Sequence, residues 1–386
     1  MGIPARQTAR IGAYIVKQHL SGKKRYPLVL MLEPLFRCNL ACLGCGKIDY
    51  PDEILNQRLS YDECMQAIDE CGAPAVSIAG GEPLLHREMP KIVKGFIARD
   101  KFVILCTNAL LLAKKIGDYQ PHDNFTWSIH LDGDKGMHDK SVCLEGTYEK
   151  AIEAIKLAKS RGFRTQINCT LFNDADPERV AKFFDEMTAM GLDGITVSPG
   201  YAYERAPDQE HFLNRERTKT KQLFRDILKR GKGGKAWSFT QSTMFMDFLA
   251  GNQAYHCTPW GNPTRNVFGW QRPCYLLGEG YVKTFKELME GTDWDAYGVG
   301  NYEKCADCMV HSGFEASAVM DTVKRPLTAL SVALRGVRTD GPMAEDISLD
   351  HQRPAEFVFK EHVEQSLADI RAANPRARKV ARAPAE

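Results

Sequence analysis

The residues best suited to chemistry are three cysteines in one short stretch, "RCNLACLGC" (37–45), at Cys38, Cys42 and Cys45. The gaps between them are three and two residues. A structural zinc site usually takes four ligands, often in C-x2-C pairs, and no fourth Cys or His follows directly here. Three thiolates can hold three irons of a cubane cluster and leave the fourth iron open. An open iron can bind and activate a small molecule.

Other residues could complete such a site. "GGEP" (80–83) supplies Gly80 and Gly81, which let main chain approach a ligand closely, and Glu82, a carboxylate acceptor for an ammonium group. "TNA" (107–109) places Asn108 just after an apolar run. In "FTWSIHLD" (125–132), Phe125, Trp127, Ile129 and Leu131 share one face. Thr126, Ser128, His130 and Asp132 then share the other, which should point inward. In "FRTQINCT", Gln166, Asn168 and Thr170 share one parity, and Cys106 shares the parity of Asn108. Downstream, Cys257, Cys274, Cys305 and Cys308 form a second set, with Gly269 between its first two members and "CADC" at its end. Cys64 and Cys71 lie seven apart on one helix face and read as core residues, and Cys143 and Cys169 also read as structural.

These residues must be positioned by regular elements. From residue 27 the chain alternates strand-like runs (27–33, 75–80, 102–108, 125–132, 163–170, 194–199) with helix-like runs near 60–71, 87–99, 109–116, 146–161 and 176–190. Strand and helix repeated six times predict an α/β fold, a six-unit (β/α) partial barrel with its site at the carboxyl ends of the strands. The three-cysteine loop follows the first strand and so falls at that end. The pattern predicts a basic helical segment at 1–25, the barrel at 26–205, a helical and Cys-rich extension at 206–338 and a flexible tail at 339–386. Within the extension, 208–250 and 320–338 read as helical and 251–313 as an irregular, metal-stapled unit. The closing "NPRARKVARAPAE" reads as disordered.

Composition bounds the function. The 386 residues are 44% hydrophobic and 26% charged with a net charge of +2, an ordinary globular balance that gives no case for nucleic acid. No apolar run is long enough to span a bilayer, and nothing at the start resembles a signal peptide. Twelve cysteines in such a chain predict metal or redox chemistry in a reducing cytoplasm rather than disulfides. Residues 1–25 hold six Lys or Arg and no acid. On a helix, Arg6, Arg10 and Lys17 share a face, which could cover an end of the barrel or rest on anionic headgroups at the inner membrane face.

The motifs resemble those of the radical S-adenosylmethionine (SAM) superfamily: the C-x3-C-x2-C loop at 38, 42 and 45, "GGEP" ending the second strand, "TNA" ending the third, and "SIHLDG" with "HD" at 138–139 on and after the fourth. One departure is Gly44, where the family usually has an aromatic residue against adenine. The strings "GAYIVKQ", "KKRYPLVLMLEPLFRCNLACLGCGKIDYP", "SIAGGEPLLH" and "TNALLL" further resemble the hopanoid-biosynthesis radical SAM proteins of the HpnH type.

The resemblance implies a [4Fe–4S] cluster on Cys38, Cys42 and Cys45. It implies SAM held by Gly80, Gly81, Glu82, Asn108, Ser128, His130 and Asn168. It also implies an electron donor such as flavodoxin or ferredoxin. The reaction implied is addition of the 5′-deoxyadenosyl group to the alkene of diploptene, a hydrophobic hopanoid substrate, giving adenosylhopane. Cys106 is then the candidate hydrogen donor to the product radical. The Cys257 set resembles a twitch-like auxiliary module for a second [4Fe–4S] cluster, and zinc would use the same ligands. Two alternatives remain: a radical SAM enzyme of the peptide-maturase type with an auxiliary cluster, and a non-catalytic iron–sulfur or zinc scaffold.

Overall fold

The computed structural model describes residues 4–201, 208, 210–213, 216–355 and 359–373. The expected domain boundary at 205 and the "NPRARKVARAPAE" segment lie outside the described residues.

Six strands form in the expected places: β1 (Val29–Glu33), β2 (Ala75–Ile78), β3 (Phe102–Thr107), β4 (Phe125–His130), β5 (Arg164–Leu171) and β6 (Gly194–Pro199). They pair in parallel in sequential order. The crossover helices are Tyr61–Cys71, Met89–Ala98, Thr147–Ser160 and Pro177–Ala189. Their starts follow local chemistry. Ser60 and Glu63 form a reciprocal capping box, and the Asp176 carboxylate accepts from the backbone N–H groups of Glu178 and Arg179. The helix expected at 109–116 shrinks to one turn, Leu112–Lys115, followed by a 3-10 turn. The chain first folds back on itself, with Ala109 at φ 68° and its N–H donated to Thr107 Oγ1.

The alternation in β4 is realised. Phe125, Trp127, Ile129 and Leu131 are buried in the main hydrophobic core beneath the helices, while the polar parity faces the other way. Register places Cys106 beside Ser128, Ser128 beside Gln166, and His130 beside Asn168.

The sheet does not stop at β6. β7 (Thr264–Asn266) pairs in parallel with β1, and the antiparallel strands β8 (Gly269–Pro273) and β9 (Gly278–Val282) continue it to nine strands. The 251–313 segment is therefore an extension of the barrel sheet rather than an irregular appendage. One hydrophobic core runs from Leu30 to Val337. The helical stretch read at 208–250 resolves into Arg217–Arg230 and Thr243–Leu249. That read at 320–338 belongs to two helices, His311–Lys324 and Pro326–Arg335, broken at the Arg325–Pro326 step, where the proline ring disfavours a helical residue before it.

The expected flexible tail is also corrected. Asp346 pairs with Arg217 and Lys221, Ala344 donates its N–H to Gly251, and Arg353 bonds to Asn301 and Ala296, so 339–355 is packed on the body. A helix follows at Phe359–Ala373.

The first helix (Ala5–Leu20) covers one end of the barrel. Arg10 forms an ion pair with Asp100 at 2.6 Å, and Arg6 lies 3.8 Å from Asp123. Those aspartates precede β3 and β4, so the helix crosses the amino ends of these strands, opposite the cysteine loop. Arg10, and more loosely the exposed Arg6, thus reach protein carboxylates. Among the described residues no helix is long and apolar enough to cross a membrane. Cys64, Cys71 and Cys169 are buried, while Cys143, read as structural, is exposed at φ 56°.

Candidate active site and auxiliary thiol cluster

The cysteine loop leaves β1 and lies against the turn that ends β2. Gly81 donates its N–H to Leu35 O and Glu82 to Arg37 O, each at 2.9 Å. Gly80 has φ 101°, and a Cβ there would sit 2.3 Å from Leu35 O. A Cβ on Gly81 would sit 2.2 Å from Arg37 O. The two glycines are thus needed for main chain to pack on main chain.

Cys38, Cys42 and Cys45 line one cavity of about 280 Å³ together with Gly80, Gly81, Glu82, Cys106, Asn108, His130 and Asn168. Ser128 is not in its wall. It lies buried one layer deeper, beside Cys106 in register, and accepts from Gln166 Nε2. Asn108 does not simply face the ligand space, since its amide donates to Asn39 Oδ1 at 2.8 Å and lies 3.8 Å from Cys38 Sγ, holding the loop.

Glu82 is almost wholly buried. Its Oε1 accepts from Thr107 Oγ1 and Leu84 N–H, and its Oε2 from Asn108 N–H. Burial pushes its pKa up to about 7, against the pull of those donors. Its carboxylate clamps the end of β2 to the end of β3 while forming part of the wall. At the end of β4, Asp132 accepts from His130 Nε2 at 3.0 Å, from Ser141 Oγ and from Thr170 N–H. His138 accepts the Asp132 N–H through Nδ1.

The three loop thiols suit a metal cluster by their own chemistry. Burial pushes the Cys38 thiol up to about 11 and raises Cys42 and Cys45, and neighbouring thiolates oppose one another's ionisation. A cation is what would bring all three to thiolate.

The second set also converges. Cys257, Cys274, Cys305 and Cys308 line one small cavity, and each of their thiols is raised by burial. Space there is kept by glycine, since a Cβ on Gly313 would sit 2.7 Å from Cys257 Sγ. Tyr201 and Leu276 line both cavities.

Several wall residues were not visible from local pattern. Tyr275, Leu276, Val310 and His311 arrive from the extension. His311 Nδ1 lies 2.6 Å from Ser198 Oγ, a partner 113 positions earlier, and no motif marks it. Gly44 is explained by contact: a Cβ there would sit 3.0 Å from Phe172 Cε1 and 3.4 Å from Phe212 Cζ. The ring missing from the loop has its place taken by Phe172, just after β5, and Phe212, both in the cavity wall.

Residues 32–229 match the family profile described as the radical SAM superfamily. The chain belongs to the radical SAM superfamily. The cofactors of this radical SAM protein are accordingly a [4Fe–4S] cluster and SAM, for which the loop cysteines and the glycine turn are suited. Residues 195–332 match a second profile, described as a domain of unknown function (DUF3463). A GTP 3′,8-cyclase from Clostridium perfringens is 27% identical over 150 residues, covering 37% of this chain and 46% of that protein. The chain thus aligns with less than half the length of that relative. Among solved structures, Streptococcus suis SuiB bound to precursor peptide SuiA superimposes with a TM-score of 0.57 at 14% identity, over 77% of this chain and 73% of SuiB. The anSMEcpe structure with bound AdoMet gives 0.53 at 17% identity, over 80% of this chain and 100% of that one. At these identities the likeness is one of fold.

Proposed function

We propose that this radical SAM protein is an adenosyltransferase that joins the 5′-deoxyadenosyl group of SAM to the alkene of diploptene, giving adenosylhopane. The observation that carries this reading is Cys106. Its thiol belongs to neither metal set, lies in the wall of the SAM cavity, and has Ser77 Oγ 3.8 Å away. Burial pushes its pKa up to about 11, so it keeps its hydrogen at neutral pH. An addition reaction needs such a donor for the carbon radical it leaves. The resemblance of the long loop string to HpnH-type proteins supports the substrate.

When bound and reduced, the cluster and SAM supply the 5′-deoxyadenosyl radical. Addition to the terminal alkene carbon forms the new C–C bond and leaves a tertiary carbon radical. Cys106 Sγ would give that carbon its hydrogen atom, and the resulting thiyl would regain one electron from the external donor, of flavodoxin or ferredoxin type, and one proton from solvent. Phe172 and Phe212 offer flat apolar surface to the adenine in place of a residue-44 ring. His130, held by Asp132, and Asn168 offer polar contacts to ribose and carboxylate. The Cys257 set is assigned to a second [4Fe–4S] cluster.

The comparisons lean toward a second reading. The relative named above is a GTP 3′,8-cyclase, and SuiB is bound to a precursor peptide. These favour a radical SAM reaction on another substrate, of the peptide-maturase type, over the hopanoid one.

The deciding experiment is anaerobic reconstitution with iron and sulfide, then SAM, reductant and diploptene, with products read by mass spectrometry. A diploptene–adenosyl adduct is the expected result. Free 5′-deoxyadenosine without adduct would overturn the substrate and favour the second reading. No SAM cleavage would favour the scaffold.

A further inference from the structure

The Pro326–Arg335 helix buries only Ala329 among its residues. Leu327, Leu330 and Leu334 stand 81%, 53% and 65% exposed, and their spacing places them on one face. Val323, at the end of the preceding helix, is 37% exposed beside them in sequence. Large aliphatic side chains exposed in a row mark a surface that meets something apolar.

The rim of this face is mostly basic, with Asp226, Asp321 and Asp340 at its margins. Segment 322–338 carries Lys324, Arg325, Arg335 and Arg338 and no acidic residue. The loop after the Arg217–Arg230 helix is docked against the far end of the same helix: Lys235 Nζ donates to Leu334 O at 2.8 Å, and Val337 N–H to Gly233 O at 2.9 Å. Segment 227–238 adds Lys229, Arg230, Lys232 and Lys235, again with no acid. Arg325 is paired with Asp321, which lies just outside the rim.

We propose that this face docks the protein on an anionic lipid surface, with the three leucines entering the acyl boundary and the Lys/Arg rim meeting phosphate headgroups. A second copy fits poorly. Two such rims would repel, and three leucine side chains offer well under the ~800 Å² per partner that a stable interface buries. A peptide partner fits poorly too, because a single convex helix provides no groove to receive it. The occupant that needs only apolar depth and diffuse negative charge is a membrane.

The docking helix is joined to the cavity by the His311–Lys324 helix, whose first residue is in the cavity wall. At ~1.5 Å per residue that is about 20 Å of helix. The face therefore acts as a tether and not as the mouth of the site, and the inference holds for any substrate of the radical reaction.

The test is co-sedimentation of the full chain with vesicles of phosphatidylglycerol and phosphatidylcholine in equal parts, against phosphatidylcholine alone. Binding to the anionic vesicles only, falling as salt rises, is expected. The Leu327→Ser/Leu330→Ser/Leu334→Ser variant should bind at least ~10-fold more weakly while keeping its circular dichroism and its 5′-deoxyadenosine release from SAM. Those residues are exposed, so folding is spared. Absence of binding to anionic vesicles, or equal binding by the variant, overturns the proposal. So does a dimer in sedimentation velocity that the variant dissolves, or capture of polyglutamate with the same dependence on the leucines.

Discussion

His130 Nε2 lies 3.0 Å from Asp132 Oδ2 at the carboxyl end of β4, and the amide of Asp132 itself donates to His138 Nδ1. Two histidines therefore meet one aspartate with their pKa values pushed in opposite directions. Burial works against charge on His130, but Asp132 outweighs it and the pKa is raised. His138 is pushed down to about 4 by burial and by His130.

The pH dependence of stability follows from these signs. His130 contributes stability that is fully present below its unfolded value of ~6.5 and is lost as pH rises through its folded pKa. His138 and His311, both pushed down to about 4 by burial, act the other way. They are neutral in the fold, so the unfolded chain binds more protons between about pH 4 and 6.5, and stability falls as pH drops through that window. Glu82 and Glu315, both pushed up to about 7 by burial, side with His130: the fold holds their protons where the unfolded chain has lost them, so they offset the two histidines as pH drops. The urea midpoint of His138→Gln relative to wild type should therefore shift in the variant's favour from pH 7 to pH 5, because the variant lacks one group that the fold keeps from its proton. A difference between variant and wild type that stays constant from pH 7 to pH 5 would contradict this assignment of His138.

Cys106→Ala should leave SAM cleavage within about twofold of wild type and remove most of the saturated adduct. The cavity keeps its other walls, while the tertiary radical loses its hydrogen source. Because the thiol is held up to about 11, adduct formation should be level from pH 6 to pH 9. Unchanged yield and stereochemistry in Cys106→Ala would remove this residue from the reaction.

Gly44→Tyr should lower SAM affinity and stability together, since its Cβ alone would meet Phe172 at 3.0 Å. Phe172→Ala should weaken SAM binding about tenfold, as loss of an aromatic stack does. The double variant should recover part of the loss by returning a ring from the loop side. Equilibrium dialysis with SAM reads all three, and a double variant worse than the sum of the singles would exclude the exchange.

Replacing Cys257 and Cys274 by serine should remove about half of the iron bound after reconstitution, because two four-iron sites hold roughly equal amounts. Changing Cys42→Ala should remove the other half and end SAM cleavage. Iron and zinc analysis separates the cluster from a zinc site, which would show zinc instead.

Much of the site could be read in the residues. Cys38, Cys42 and Cys45 are local in sequence, so their spacing already constrains their geometry. The parity of "FTWSIHLD" told the buried face from the cavity face because strand period is fixed by backbone alone. Ser128 has the correct parity and the wrong depth, since parity gives direction but not distance from the strand end. β7 was missed because three residues, Thr264–Asn266, carry too little pattern, and only pairing with β1 and β8 makes them a strand. His311 was missed because its partner Ser198 is remote in sequence. Arg6 and Arg10 could be read as a lipid-facing row until Asp123 and Asp100 were found beneath them. The leucine row at 327–334 lies in a stretch that reads only as helical, and its exposure is visible in the structure alone.

The cysteine loop owes its shape to the carbonyls of Leu35 and Arg37 held against Gly80 and Gly81. Main-chain bonds of this kind do not depend on iron. The cup in which the thiols sit is therefore a permanent part of the barrel. Oxygen that strips the iron would leave the vessel standing, and its repair would be an act of refilling rather than of refolding.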